Sequence, residues 1–204
     1  MARIIDKEEK RCDIAGASIK LFANKGIAQT SMDEIAKSAG VAKGTIYLYF
    51  KNKEEIIFAI WDMLAARHHE AFQARITETM SAKEKILELF NFSECQEDHD
   101  KEELLTLYQN FLSTMLIDKT GLYTSYFAMI SQRDYDIITA SIEQGIAKGE
   151  LEVHDVDKLT NTIIVFMEGV IIQSKMNNLN FEQTQSRLTQ YIIFLLDQYM
   201  RKAS

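Results

Sequence analysis

The most constraining feature of this 204-residue sequence is an omission: it holds no proline and only eight glycines. A chain rich in tight β-turns draws on both residues, because Pro presets a turn's φ and Gly supplies positive φ. Their scarcity predicts helices joined by short connections. The β-branched residues are scattered among Ala, Glu, Lys, Leu and Gln, which favour helix. At 47% hydrophobic and 10% aromatic, the chain is too apolar for disorder and long enough for a proper core. The expected fold is all-α.

Charge is divided unevenly. Residues 1–55 carry ten Lys/Arg against eight Asp/Glu, whereas the remainder carries 13 against 22 within the overall charge of −7. Only the first quarter is suited to meet a polyanion. The longest apolar runs, at 163–167 and 191–196, fall far short of the roughly 20 residues of a membrane span. Residues 1–8 show no apolar core of a secretory signal. Cys12 and Cys95 are far apart and form no CxxC pair. A reduced, cytoplasmic protein without a membrane partner is expected.

Along the chain, Ile14, Ala17, Leu21 and Phe22 give one helical stripe within 7–25, closed by Gly26. Ser31 with Glu34 reads as a capping box opening a second, short helix that Gly40 ends. A third runs from Lys43 to Tyr49. A fourth begins at Asn52-Lys53-Glu54-Glu55 and extends to about Met80, with Ile56, Ile57, Ile60, Met63 and Leu64 inward. Helices are also expected at 81–92, 104–117, 122–148 (one, or two in series), from Asp155 or Asp157 to Met176, and at 182–201. The acidic stretch SECQEDHD at 93–100 reads as a loop.

Residues 31–50 therefore describe a helix-turn-helix, with its tight turn at Ala39-Gly40-Val41. Gly40 suits a turn residue at positive φ. Ile35, Val41, Ile46 and Phe50 can lock the two helices against Leu21 and Phe22. Lys43, Gly44, Thr45, Tyr47, Leu48 and Tyr49 are left at the start and outer face of the second helix, the positions that enter a major groove in such a motif. Tyr47 and Tyr49 can equally be read as ordinary core aromatics, and Lys51 as a solvated charge.

The stretch TSMDEIAKSAGVAKGTIYLYFKNKEEII (30–57), with Ile14-Ala15 through Phe22 and Gly26 upstream, resembles the tetracycline-repressor (TetR) family of bacterial transcriptional regulators. The resemblance covers residues 10–60. Beyond it the similar points are the length, the helical content and GIAKGEL at 145–151. It implies a three-helix DNA-binding head, 1–52, joined to a larger helical ligand-binding and dimerisation domain, 53–204. Thr30 and Ser31 are then placed to hold a phosphate at the start of the second helix. Lys43 reaches a base edge or a phosphate. Gly44 allows close backbone approach. Thr45 meets a phosphate or a thymine methyl. Tyr47 donates its hydroxyl to a phosphate, and Tyr49 reaches a phosphate or base. Leu48 stands where the family often has histidine or another polar residue, which implies apolar contact with thymine. Lys53 pairs with a phosphate.

The last two helices carry more apolar surface than one buried face uses. Leu159, Ile163, Phe166 and Val170 form one stripe, with Ile164, Met167 and Ile171 beside it; Leu188, Tyr191, Ile192, Leu195 and Tyr199 form another, with Ile193, Phe194 and Met200 over. The resemblance implies a four-helix bundle across a two-fold axis. A homodimer would then read a palindromic operator on double-stranded DNA. Leu159, Ile163, Val170, Tyr191, Phe194 and Leu195 are the expected interface. Phe90, Tyr108, Phe111, Met115, Tyr123, Tyr126, Phe127, Phe166 and Met167 are candidates to line a pocket for a small-molecule inducer. Each of them also reads as ordinary helical core.

No enzyme is expected. G-x-S-x-G, H-E-x-x-H, P-loop and dinucleotide fingerprints are all missing. His68 and His69 are adjacent and point about 100° apart on a helix. Cys95-x3-His99 has no second pair beside it, so neither metal nor other cofactor is expected. The expected function is a ligand-responsive regulator, a repressor released from its operator by a largely apolar molecule, with the fourth helix as the lever between pocket and head. The competing reading is a helical ligand-binding or protein-interaction module whose head is structural.

Overall fold

A computed structural model describes residues 7–92 and 101–201. The expected loop at 93–100, with Cys95 and His99, lies outside the described residues. The described residues form nine α-helices: α1 (Lys7–Lys25), α2 (Met32–Ser38), α3 (Lys43–Ile46), α4 (Lys53–Arg75), α5 (Ala82–Leu89), α6 (Lys101–Ile117), α7 (Leu122–Ala147), α8 (Val156–Met176) and α9 (Phe181–Asp197).

The capping box expected at Ser31 and the cap expected at Asp155 form in the structure, and two further boxes join them. Ser31, Ser81 and Asn180 each close a capping box with the Glu or Gln three residues on, and Asp155 accepts from the Lys158 N–H. Several ends differ from expectation; α5 stops at Leu89 rather than Phe92, and α6 starts at Lys101 rather than Leu104. The α4 helix stops at Arg75 rather than Met80, because Ser81 recaps the chain as α5 after a stretch holding the β-branched Ile76, Thr77 and Thr79. The α3 helix stops at Ile46; residues 47–49 continue as a turn, with Leu48 N–H donating to the Thr45 carbonyl at 3.1 Å and Tyr49 N–H to that of Ile46 at 2.9 Å. The α9 helix ends at Asp197 rather than Arg201. There the backbone pairs elsewhere: Glu152 N–H donates to Tyr199 O at 2.9 Å and Arg201 N–H to Glu150 O at 3.0 Å.

The chain divides into two compact units, 1–67 with 98–126 and 68–97 with 127–204. This division by packing falls within α4 and α7. Helix α6 belongs with the first unit because it packs on α1. Asn110 on α6 donates to the Phe22 and Ala23 carbonyls (3.0 and 2.8 Å) in the last turn of α1, where Phe22 O also accepts from Gly26 N–H at 3.0 Å, and Glu103 faces Lys20 at 3.4 Å. In the first unit, α1 buries Ile14, Ala15, Ser18, Ile19 and Phe22, and α2 and α3 bury Ile35 and Ile46. The Ser18 hydroxyl satisfies itself on the Ile14 carbonyl at 2.6 Å.

The second unit has its own core, including Phe72, Ile86, Leu89, Ile138, Ile142, Leu159, Ile163, Leu188 and Ile192. Gly145 of α7 leaves no room for a side chain. A Cβ there would lie 2.6 Å from Ala82 Cβ and 2.9 Å from Leu151 Cδ1. Gly145→Ala is therefore expected to destabilise the protein by about 1–3 kcal/mol, through overpacking that outweighs the helix propensity of alanine. A lowered urea midpoint with an unchanged m-value checks this; an unchanged or raised midpoint would show that α5 yields freely.

Candidate nucleic-acid interface

The helix-turn-helix is built by local rules. Ser31 is extended (φ −102°, ψ 155°) and its hydroxyl oxygen accepts from Glu34 N–H, while the Glu34 carboxylate accepts from Ser31 N–H. The α2 helix ends at Ala39, and Gly40 turns the chain at φ +64°, a conformation costly for residues with a Cβ. Val41 N–H then donates to Ala36 O at 3.0 Å, closing the turn. Ala42, in extended geometry, opens α3 without a side-chain cap.

Ile46 and Phe50 are buried and pin the recognition segment from beneath. Above them the surface is open. Tyr47 is 50% and Leu48 71% exposed, and Lys43 and Gly44 are exposed. Tyr47 is thus no core aromatic. Thr45 and Tyr49 are half-buried. Arg11 of α1 clasps the far end: its guanidinium donates to the Tyr49 carbonyl and lies 4.3 Å over the Phe50 ring. Lys43 Nζ pairs with Asp33 Oδ1 of α2 at 2.6 Å; that hydrogen bond, then the charge, holds the ammonium's pKa above its ordinary value.

Two predicted phosphate donors are placed otherwise. Thr30 is buried, and its hydroxyl donates to Gly26 O at 2.8 Å. With Ser31 serving as the cap, Thr30 sits one residue outside the helix and faces inward. Lys53 Nζ donates to the Ala28 and Thr30 carbonyls at 2.7 and 3.3 Å, stapling the turn between α1 and α2. Ser31 is exposed, but its hydroxyl is engaged with Glu34.

The pocket candidates fall into both units. In the first, Tyr108, Phe111, Tyr123 and Tyr126 form one aromatic cluster with Phe58 and Trp61, which sequence reading had not placed there. Trp61 meets Tyr108 and Phe111 edge-on, each at 5.4 Å, and Phe58 stacks on Tyr126 at 4.1 Å. The Tyr126 hydroxyl shares its proton between Asp62 Oδ1 (2.7 Å) and Phe58 O (2.8 Å); burial, then Asp62, pushes its pKa up. Trp61 Nε1 is buried without a hydrogen-bond partner. The spacing of Phe58 and Trp61, one helical turn apart, was the available signal. Met115 is half-buried.

In the second unit Phe90 and Met167 are core residues, Phe127 is half-buried, and the Phe166 ring lies 6.2 Å from that of Tyr191. His68 stacks on Phe92 at 5.0 Å, and burial, then Arg75, lowers its pKa to about 4. Burial raises that of Asp134 to about 6.

The expected dimer residues divide in the same way. Leu159, Ile163 and Val170 point into the chain's own core, which corrects their expected place on an outer face. Leu195 packs partly against that core. Tyr191 and Phe194 are exposed, with Val165, Phe166, Ile172 and Met176 of α8. Among the described residues no group of three or more His, Cys, Asp or Glu could hold a metal, and no helix is long and apolar enough to cross a membrane.

Residues 14–60 match the family model of bacterial regulatory proteins, tetR family. The chain is 41% identical over 80 residues to the fatty acid metabolism regulator protein of Bacillus subtilis, a match spanning 39% of this chain and 41% of that protein. It is 25% identical over 209 aligned positions to the HTH-type transcriptional regulator AcrR of Shigella flexneri, covering 96% and 91% of the two chains. The crystal structure of the transcriptional regulator FadR from Bacillus subtilis in complex with stearoyl-CoA is similar with a TM-score of 0.71 at 25% identity, covering 90% of this chain and 96% of that one. Residues 14–60 thus carry the helix-turn-helix of the tetR family of bacterial regulatory proteins, and the chain as a whole is similar to TetR-family DNA-binding transcriptional regulators.

Proposed function

We propose that the protein is a homodimeric repressor that leaves a palindromic operator when a small, largely apolar molecule binds its helical part. The observation that carries the DNA reading is the recognition segment. Its anchors, Ile46 and Phe50, are buried, while Lys43, Tyr47 and Leu48 stand free of the core. Side chains held rigidly from beneath and exposed above can follow base edges and phosphates. Residues 1–52 are the DNA-contacting part, and Ser31, Gly44, Thr45 and Tyr49 border the contact.

Dimerisation follows from the apolar surface of α8 and α9, on which Val165, Ile172, Phe194 and Tyr191 are exposed. The ligand reading is supported by the aromatic cluster of the first unit and its unpartnered indole N–H. It is supported too by the stearoyl-CoA bound to the related FadR. Release requires that the ligand bind the DNA-competent and DNA-incompetent states unequally.

The test is fluorescence anisotropy with the DNA upstream of the protein's own gene and with a mixed-sequence duplex. Salt-sensitive binding that prefers the upstream fragment is expected. Lys43→Ala and Tyr47→Phe should each weaken upstream binding by about tenfold, the worth of one charge-assisted contact, with melting temperatures unchanged. Variants that bind as the parent does would remove these residues from the interface. A ligand that binds without changing DNA affinity would refute the induction mechanism.

A further inference from the structure

Lys43, the first residue of α3, is paired with an acid of its own chain. Asp33 stands in the first turn of α2, and the pair bridges the two helices of the helix-turn-helix on their exposed side. Folding does not need this contact. The start of α2 is served by Ser31 and Glu34, and Glu34 is in turn held by Lys25. Both partners of the Asp33–Lys43 pair are well exposed, at 63% and 60%. An ion pair in that setting contributes little to stability. Its effect falls on what approaches this face. A carboxylate there repels a polyanion within the roughly 8–10 Å reach of unscreened charge, and it occupies a cation that phosphate would otherwise take.

We propose that Asp33 is an internal competitor of DNA for Lys43, and that it suppresses sequence-independent binding. The proposal rests on the interface assigned above. Non-specific affinity comes almost wholly from cations that displace counterions from phosphates. A lysine held by Asp33 displaces none, so on arbitrary DNA the protein lacks one contact. Where a guanine edge or a well-placed phosphate outbids the carboxylate, Lys43 leaves Asp33 and adds its contact there alone. Asp33 thereby acts as a repulsive element against wrong sites.

The experiment compares the parent with Asp33→Asn, Lys43→Ala and the double variant. The probe is a labelled mixed-sequence 30-bp duplex, titrated in anisotropy between about 50 and 200 mM salt, the range over which phosphate contacts are lost. Asp33→Asn should bind about three- to tenfold tighter at the low-salt end. Its log K against log salt should be steeper by about one, the increment for one added phosphate contact. Asp33→Asn should gain much less in the Lys43→Ala background than in the parent. Unchanged affinity and slope in Asp33→Asn would overturn the proposal while leaving the interface standing. An equal gain with and without Lys43 would overturn it too, since Asp33 would then act by distance alone. If the parent binds no duplex at low salt, the interface assignment fails and the proposal with it. Melting temperatures of all four proteins confirm that the fold is retained.

Discussion

Phe194→Glu is expected to make the protein monomeric and to weaken operator binding by a hundredfold or more. Phe194 is 66% exposed on α9, in company with Tyr191. An aromatic ring at the centre of an apolar contact is the usual site of concentrated binding energy. A glutamate placed there would be desolvated against its own symmetry mate, unpaired and like-charged across the two-fold. The chain should still fold, because the substituted side chain leaves the core of the second unit untouched. Loss of the dimer should carry DNA affinity with it, since two linked heads bind two half-sites at high effective concentration and one head does not. Sedimentation at micromolar concentration, with circular dichroism, reads the result. Leu116→Glu is the control: Leu116 is 73% exposed on α6 of the first unit. A Phe194→Glu protein that remains dimeric would place the interface elsewhere.

Phe50→Ala should lower the unfolding free energy by about 3–5 kcal/mol, the range for removing a buried ring and leaving its cavity. Phe50 is 1% exposed, and Arg11 covers its ring. The loss should concentrate in the first unit. Amides of residues 31–50 should exchange with solvent much faster than in the parent, because the segment has lost its lower anchor. Leu48→Ala, two residues away and 71% exposed, should change stability by no more than about 0.5 kcal/mol. Urea denaturation of the two variants together checks the contrast. A Phe50→Ala loss below about 1 kcal/mol would mean that the ring is not load-sharing core.

The start of α2 was legible because it rests on residues three apart in sequence, Ser31 with Glu34; Ser81 with Glu84 and Asn180 with Gln183 repeat that local pattern. Partners far apart in sequence were not. Lys53 is plainly a cation at the mouth of a helix. That its ammonium rests on Ala28 and Thr30 carbonyls depends on where the preceding turn passes. Thr30 failed for a related reason: once Ser31 takes the cap, its neighbour's hydroxyl must look for a partner behind it. On α8 two apolar stripes were visible, and periodicity cannot tell which one faces inward. The core took residues of both, Leu159, Ile163 and Val170 from one and Met167 and Ile171 from the other, and left Phe166 outside with Val165 and Ile172. The division between units was hidden because it follows the docking of α6 on α1, where Asn110 meets Phe22 88 residues away along the chain.

The four residues of α3 are far too few for a helix that stands alone; isolated helices below about 12 residues are marginal in water. Its shape is lent by Ile46 and Phe50 below and by Arg11 at its end. The exposed letters between them, at 43, 44, 47 and 48, contribute almost nothing to that shape. The surface is therefore rewritable: under the proposed interface, a descendant of this protein would change which DNA it reads by altering those letters, without renegotiating its stability.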